Sequence, residues 1–195
     1  MSNSGYNKKD FYHRKAKEEG YAARSAYKIE EIQKKFKLIK KNGKVLDLGC
    51  APGAWVQMAL PMVGEKGFIV GVDYEKVEIK HPNFRFIQAD AFKLTMEELR
   101  EGPFDVVLSD MAPKTSGVKI RDHALSVELC MRAIEVAEKL CKKNGNIVVK
   151  IFEGEDTVKV RTAIEQAYQT VKIFKPQSSR QASFEVYIIG IGKKA

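Results

Sequence analysis

Short apolar runs alternate with helical stretches along most of the chain, and this pattern predicts a parallel β-sheet. The strand-like runs between Lys44 and Phe152 are KVLDLG, GFIVGVD, FRFIQAD, FDVVLSD and NIVVKIF. Apolar positions with helical spacing separate them at residues 54–63, 96–100, about 122–142 and 157–168. Asn144-Gly145 is typical of the end of the third of these helices. Repeated strand-then-helix units favour a mostly parallel sheet with helices on both faces.

Two further runs near the end of the chain, TVKIFKP and SFEVYIIGI, predict a different kind of connection. Too few residues separate them for a parallel crossover, so we expect the last strand to run antiparallel to its neighbours. Near the start, residues 8–37 show helical spacing and predict two short helices, with Ser25 able to cap the second. We therefore expect one α/β domain over residues 1–195, with a basic helical extension at 1–42 and a core at 43–195.

The length and composition fit this reading. The 195 residues are 44% hydrophobic, which is enough for one substantial core but short for two full-sized domains. No apolar run approaches the roughly 20 residues of a bilayer-spanning helix, and the first residues lack the apolar centre of a secretory signal. Cys50, Cys130 and Cys141 match neither a metal-ligand spacing nor a disulfide framework. We expect a cytoplasmic protein with reduced thiols, without a metal and without membrane association.

A formal net charge of +9 favours a polyanionic partner, because clustered basic side chains release counterions condensed on nucleic acid. Tyr6, Tyr12 and Tyr21 lie in the most basic part and could stack on bases. The charge does not distinguish RNA from DNA, and a solvated helical face explains a lysine run equally well. The basic residues that crowd the first quarter of the chain are Lys8, Lys9, Arg14, Lys15, Arg24, Lys34, Lys35, Lys37, Lys40, Lys41 and Lys44.

Unusual residues stand where the predicted strands end. The first strand runs into a tight glycine turn that begins at Gly49, and the next three end in Asp73, Asp90 and Asp110. In open parallel sheets, ligands bind at this carboxyl edge. Acidic groups at successive strand ends suit a ligand that carries a ribose and a cationic centre.

A dinucleotide site is the alternative for this turn. The turn loosely approaches G-x-G-x-x-G/A, and Asp73 falls near the distance of a ribose-binding acid. However, Ala51 with the rigid Pro52 stands where a glycine would let the backbone touch a pyrophosphate. The carboxylates at the following strand ends would also oppose that anion. A nicotinamide enzyme is therefore disfavoured.

The string DLGCAPGAW at residues 47–55 resembles the first motif of the class I methyltransferases, and more narrowly that of the FtsJ/RrmJ family of ribosomal-RNA ribose methyltransferases. Cys50 and Ala54 depart from the usual family string, where alanine and glycine are commoner. Four more blocks match in the right order, namely RSAYK at 24–28, SDMAP at 109–113, VKIF at 149–152 and SFEVY at 183–187.

This resemblance implies a Rossmann-like class I methyltransferase fold with a seven-stranded sheet. It implies S-adenosylmethionine as the methyl donor and a ribose 2′-hydroxyl of ribosomal RNA as the acceptor. The implied target is a uridine of large-subunit (23S) rRNA, reached within the large ribosomal subunit by a monomeric enzyme.

The resemblance also assigns cofactor contacts. It implies that Gly53 and Trp55 shape the methionine and sulfonium end of the pocket. It further implies that Asp73 holds the ribose hydroxyls and that Asp90 contacts the adenine. Taken singly, such a glycine is also turn punctuation, a tryptophan a core residue and an aspartate a helix cap. The expected cofactor-binding residues are Gly49, Gly53, Trp55, Asp73, Asp90 and Asp110.

Methyl transfer to a hydroxyl requires careful alignment and a base near neutral pH. Lys150 stands inside the apolar run NIVVKIF, where an ammonium group is costly to desolvate, so we expect it to be that base. A lysine that extends from the strand end to water is the alternative. If the fourth and fifth strands pair, Asp110 lies beside Lys150. If the last strand is antiparallel, Glu185 reaches the same edge, although its alternation also fits a solvent-facing residue.

The resemblance adds Lys28, which its spacing alone does not distinguish from other surface lysines. In the family pattern, the catalytic Lys-Asp-Lys-Glu tetrad of 2′-O-methyltransferases corresponds to Lys28, Asp110, Lys150 and Glu185, with Lys150 as proton acceptor. We expect a positive groove around this edge, built from Lys114, Lys119, Arg121, Lys172, Lys175 and Arg180.

Two other functions stay open on the sequence. One is 2′-O-methylation of a tRNA or of an mRNA cap, performed by relatives with the same tetrad; the absence of a large appended domain slightly favours the ribosomal substrate. The other is a noncatalytic RNA-binding ribosome assembly factor. The presence of all four tetrad residues favours an enzyme over that factor.

Overall fold

The computed structural model describes residues 8–180 and 183–195 of the chain. Tyr6 lies outside the described residues. A 3₁₀ turn lies at Glu97–Leu99. The helices and strands follow in the order α1 (Lys8–Glu18), α2 (Ala26–Phe36), β1 (Lys44–Leu48), α3 (Ala54–Val63), β2 (Phe68–Asp73), β3 (Phe84–Gln88), β4 (Phe104–Ser109), α4 (Lys119–Leu140), β5 (Cys141–Phe152), α5 (Thr157–Ala167), β6 (Tyr168–Phe174) and β7 (Glu185–Lys193).

The strands form one seven-stranded sheet in the order β3-β2-β1-β4-β5-β7-β6. The pairs among β1 to β5 are parallel, and β7 pairs antiparallel with both β5 and β6. This confirms the predicted Rossmann-like sheet with an antiparallel last strand. The strand order reverses between β1 and β4, and the carboxyl ends of these two strands therefore border the crevice where ligands bind in such folds.

Two apolar cores cover the two faces of the sheet, because successive strand residues point to opposite sides. On one face, Leu46 and Val107 pack with side chains of α4 and α5. On the other face, Val45 and Leu108 pack with α3 and with Ile29 of α2. The second helix of the N-terminal extension is therefore part of a core of the sheet rather than an appendage.

Three local predictions were wrong. The helix predicted at 96–100 is a single 3₁₀ turn. The long helix ends at Leu140, and Asn144-Gly145 lies inside β5, where the pairing with β4 shifts register. Asn144 has a φ of 62°, so its left-handed backbone marks an irregularity of the strand instead of a helix end. Ser25 precedes α2, but its side chain makes no capping hydrogen bond.

No helix within residues 8–180 and 183–195 combines the length and the apolar character that crossing a bilayer requires.

Asn146 generates a prediction about stability. Its side chain is buried, donates to the backbone oxygen of Leu38 at 3.2 Å and accepts the backbone N–H of Gly192 at 3.2 Å. Asn146→Ala leaves both backbone groups without these partners, so we expect the free energy of unfolding to fall by about 2 kcal/mol in urea denaturation. Gln169→Ala, at an exposed residue of the edge strand β6, is the control and should change it by no more than about 0.5 kcal/mol. Equal effects of the two substitutions would contradict this role.

Candidate active site

A cavity of about 350 Å³ opens at the carboxyl edge of the sheet, beside the ends of β1, β2 and β4. Polar and apolar groups share its wall. Gly49 and the three aspartates predicted at strand ends all contribute to it. The residues lining it are Gly49, Ala51, Val72, Asp73, Tyr74, Glu75, Ala89, Asp90, Ala91, Phe92, Asp110, Met111, Ala112, Leu129 and Lys150.

The glycine turn after β1 packs too closely for larger residues. Gly49 has a φ of 78°, and a Cβ there would lie 2.6 Å from Cγ of Met111, the residue after Asp110. Gly53 has a φ of 104°, and a Cβ there would lie 2.5 Å from Cδ1 of Ile79. Both glycines adopt a left-handed backbone that other residues rarely take. The turn is therefore held against the loops that follow β2 and β4.

Asp73 fixes the same turn from β2. One carboxylate oxygen accepts the backbone N–H of Ala51 at 2.9 Å, and the other accepts that of Glu75 at 2.9 Å. Asp90, at the next strand end, is exposed and accepts the backbone N–H of Phe92 at 3.0 Å. Both carboxylates border the cavity with lone pairs left over, because a carboxylate can accept more than two hydrogen bonds.

Gly53 and Trp55 do not line the cavity, although both were predicted to contact a cofactor. Gly53 is the residue before α3, and Trp55 is buried in that helix. The indole N–H of Trp55 donates to the backbone oxygen of Ser25 at 2.9 Å, and its ring packs on Tyr187 with centroids 5.7 Å apart. In this structure the two residues lie in and next to α3 and not in the lining of the cavity. Their contact with a ligand stays a prediction.

Lys150 and Asp110 form an ion pair in the lining of the cavity, with side chains 9% and 17% exposed. Lys150 Nζ lies 3.0 Å from Oδ1 of Asp110 and also donates to the backbone oxygen of Asp110. The Tyr187 hydroxyl donates to the same Oδ1 at 2.8 Å. Because β5 pairs with β7 in a register that sets Lys150 opposite Tyr187, the three groups converge from adjacent strands.

Lys28 and Glu185 form the second buried pair. Lys28 Nζ lies 2.6 Å from Oε1 of Glu185, and the two side chains are only 8% and 11% exposed. Lys28 Nζ is also 5.9 Å from the centroid of the Tyr187 ring, which joins this pair to the first. The structure thus brings together all four residues of the predicted tetrad from α2, β5, β7 and the end of β4.

The electrostatics of Asp110 and Tyr187 follow from this crowding. Burial opposes ionisation of Asp110, but the ammonium groups of Lys150 and Lys28, helped by the Tyr187 hydroxyl, hold its pKa below its usual range. Burial raises the pKa of Tyr187 well above its usual range, and the neighbouring carboxylates of Asp110 and Glu185 raise it further. Asp110 is therefore an anion at neutral pH, and Tyr187 stays a hydroxyl donor to it.

Two residues of the site received no role from the sequence. Tyr187 lies two positions after Glu185, so strand alternation already placed it on the same face as that residue. Asp47 is part of the first motif block, but it is 1% exposed, and neither carboxylate oxygen has a hydrogen-bond partner among the described residues. Burial raises the pKa of Asp47 well above its usual range, and nearby Asp110 and Asp73 raise it further.

Comparisons with known proteins agree with this geometry. The model of the FtsJ-like methyltransferase family matches residues 21–193. Ribosomal RNA large subunit methyltransferase E from Bdellovibrio bacteriovorus is 46% identical over 97% of this chain and 99% of its own length. The protein of the same name from Myxococcus xanthus is 43% identical over 97% of this chain and 92% of its own length.

A solved structure adds to these matches. A Plasmodium falciparum protein described as a ribosomal RNA methyltransferase superimposes with a TM-score of 0.79 at 31% identity, over 89% of this chain and 98% of that one.

The isolated carboxyl of Asp47 generates a prediction about pH. The pKa of Asp47 is raised in the folded state. The folded protein therefore keeps a proton that the unfolded chain releases above the usual pKa of 3.8. The folded state loses stability as the pH rises above that value. Asp47→Asn removes this term. We expect the melting temperature of the unliganded variant to exceed that of the wild type by an amount that grows from about pH 5 to about pH 8.

Glu155→Gln, at an exposed carboxyl, is the control and should show a flat difference over the same range. Parallel melting curves of Asp47→Asn and wild type across that range would contradict the pH dependence.

Proposed function

This chain belongs to the FtsJ-like methyltransferase family, and on that premise we propose that it methylates a ribose 2′-hydroxyl of large-subunit (23S) ribosomal RNA, with S-adenosylmethionine as donor. The observation that carries the proposal is the Lys150–Asp110 ion pair in the lining of a cavity bordered by carboxylates. The ribosomal substrate rests on the names of the relatives. We extend the proposal to a cytoplasmic monomer that acts on RNA within the large ribosomal subunit.

The residues around the cavity fit S-adenosylmethionine. Asp73 and Asp90 offer acceptors for ribose and adenine groups, and the apolar Val72, Ala89 and Leu129 offer surfaces for a flat ring. The carboxylates of Asp73, Glu75 and Asp90 line the cavity without an ion-pair partner among the described residues, which favours a cationic ligand over a pyrophosphate. When bound, the donor supplies an electrophilic methyl group on a sulfonium centre.

In the proposed mechanism, Lys150 releases its ammonium proton to solvent before the reaction, and its amine would then accept the proton of the 2′-hydroxyl. Bound S-adenosylmethionine would supply the methyl group, and its carbon–sulfur bond would break as the new carbon–oxygen bond forms. The carboxylate and the backbone oxygen of Asp110 orient Nζ of Lys150, and the Tyr187 hydroxyl holds Asp110 from the other side. Lys28 and Glu185, paired beside the Tyr187 ring, are the groups that the acceptor ribose would meet. The short distances among these groups keep the base aligned with the reacting oxygen.

Exposed basic residues near this edge are the proposed phosphate contacts. Burial and the Arg180 guanidinium lower the pKa of Arg24, whereas the Glu185 carboxylate raises it, so these three charged groups are near enough to interact. Two guanidinium groups beside a buried carboxylate of the site suit a bridging phosphate. The other basic residues flanking the site, all exposed, are Lys114, Lys119, Arg121, Lys172 and Lys175.

The assay that tests the reaction incubates the protein with labelled S-adenosylmethionine and, separately, rRNA, ribosomal subunits and tRNA, and then maps the modified riboses. Label in a 2′-O-methyl nucleotide of large-subunit RNA is the expected result. Label only in tRNA would move the substrate to the alternative class. Absence of label, together with absence of calorimetric affinity for the donor or its demethylated product, would overturn the enzymatic proposal.

Replacement of the proposed base gives a prediction about the rate of methyl transfer. Lys150→Met keeps the apolar stem but removes the proton acceptor, so we expect the single-turnover rate of methyl transfer to fall about 100-fold or more. Affinity for the demethylated donor, measured by calorimetry, should change only a few-fold. The matched control is Lys143→Ala, at an exposed lysine near the other end of β5, which should leave the rate unchanged. Wild-type rates in Lys150→Met would exclude Lys150 as the base.

Arg24 and Arg180 give a prediction about RNA binding. Arg24→Ala and Arg180→Ala should each weaken RNA binding and reduce the slope of log affinity against log salt by about 1, because each removes one phosphate contact. Filter binding over a salt series measures both quantities. Lys66→Ala, in the exposed turn before β2 at the opposite edge of the sheet, is the control. Unchanged slopes in both arginine variants would place the RNA elsewhere.

A further inference from the structure

Among the described residues, no strand pairs with the last residues of β5 on the edge that faces β4. The parallel pairing of the two strands ends with Ser109 opposite Val149, and Lys150 to Phe152 continue beyond it. On the other edge this segment pairs with β7 up to Glu185. The backbone groups of Lys150 and Phe152 that face β4 are buried and require other partners. They belong to the segment that carries the proposed base.

Side chains of α4 supply these partners. His123 Nδ1 lies 2.6 Å from the backbone oxygen of Phe152, and Ser126 Oγ accepts the backbone N–H of the same residue at 3.2 Å. Cys130 Sγ donates to the backbone oxygen of Lys150 at 3.0 Å. His123, Ser126 and Cys130 are spaced by three and four residues, so they lie on one face of the helix. We call these three buried residues the α4 polar stripe.

The hydrogen bonds fix the tautomer of His123. The backbone oxygen of Phe152 can only accept, so Nδ1 carries the hydrogen. Nε2 is then the acceptor that receives the backbone N–H of Asp156 at 3.1 Å. Both ring nitrogens are used, and His123 does not line the cavity, so it is not a proton acceptor for the substrate. Its neutral ring ties the end of β5 to the loop that follows.

Two further features support these hydrogen bonds of His123 and Cys130. A Cβ on Gly154 would lie 2.5 Å from Cγ of His123, so the loop after β5 packs directly on the imidazole ring. Burial raises the pKa of Cys130 to about 12, while Lys150 lowers it only in part. The thiol therefore stays protonated at neutral pH and remains a donor to the backbone oxygen of Lys150.

We propose that the α4 polar stripe is a set of positioning residues for methyl transfer. It takes the place of the missing strand beside Lys150 and Phe152, and so fixes the backbone from which Lys150 reaches Asp110. The inference rests on the proposed role of Lys150 as base. A displacement of about 1 Å at a reacting group is enough to slow a reaction about 100-fold, so loss of this support lowers the rate without removing any group that touches the substrate.

The test compares two replacements of His123. Asparagine places its amide N–H near the position of Nδ1 and can still donate to Phe152, whereas glutamine reaches the position of Nε2 and leaves the Phe152 oxygen without that donor. We expect His123→Gln to lower kcat about 100-fold. KM for donor and RNA should stay within a few-fold of wild type. His123→Asn should recover most of kcat, and Ser126→Ala should lower kcat with KM again unchanged.

The matched control is Val127→Ala. Val127 is a buried core residue next to Ser126 on α4, so its truncation lowers the melting temperature without touching the stripe. Its kcat should equal that of wild type at a temperature where both proteins are folded. If His123→Gln does not fold, Gly154→Ala supplies the second perturbation, because the added Cβ displaces the imidazole ring, and it should lower kcat in the same way.

The outcomes separate this inference from the proposed function. A wild-type protein that methylates no RNA would overturn the proposed function itself, and a fully active Lys150→Met would overturn its base. A wild type that is active and sensitive to Lys150→Met, combined with wild-type kcat in Ser126→Ala and in either His123→Gln or Gly154→Ala, would overturn the positioning role alone. If Val127→Ala and the stripe variants lose kcat in the same proportion to their loss of melting temperature, the loss of kcat reflects stability alone. That result would also overturn the positioning role.

Discussion

The mutual neutralisation of two buried lysines and two buried carboxylates is the constraint on which the site depends. The side chains of Lys28, Lys150 and Glu185 are at most 11% exposed and that of Asp110 is 17% exposed, and an isolated charge with so little water around it is strongly unfavourable. Each lysine has a carboxylate within 3.0 Å, so the cluster as a whole carries no excess charge. Removing one member leaves its partner buried without compensation, which makes the four positions interdependent.

The antiparallel β7 makes this arrangement possible. A parallel strand in its place would put its start at the opposite edge of the sheet, far from the ends of β4 and β5. Running antiparallel, β7 begins at the carboxyl edge, and its first residues deliver Glu185 and Tyr187 beside Lys150. Because β7 lies between β5 and β6, it places an acid and a phenol next to a lysine from a parallel strand.

The sequence was sufficient for the parallel strands, because apolar runs are local signals whose meaning the sheet topology fixes. Strand positions also directed Asp110, Lys150 and Glu185 to one edge, whereas Lys28 joined them only through the family resemblance. The sequence was less informative where packing between distant parts of the chain decides the local structure. Asn144-Gly145 has the composition of a helix end, yet the neighbouring strand draws these residues into β5. Ser25 contributes its backbone oxygen to Trp55 rather than its hydroxyl to a helix. The raised pKa of Asp47 depends on its burial and on the carboxylates of Asp110 and Asp73 from other parts of the sheet, which no local pattern reveals.

The position of Trp55 has a practical consequence. It is the chain's single tryptophan, and it lies two residues after the glycine turn, in contact with the ring of Tyr187. Indole emission responds to the polarity and motion of its surroundings, and with one indole the spectrum has one source. The chain therefore contains a built-in optical reporter whose signal originates between the glycine turn after β1 and Tyr187, so that changes in their packing can be followed in real time without a chemical label.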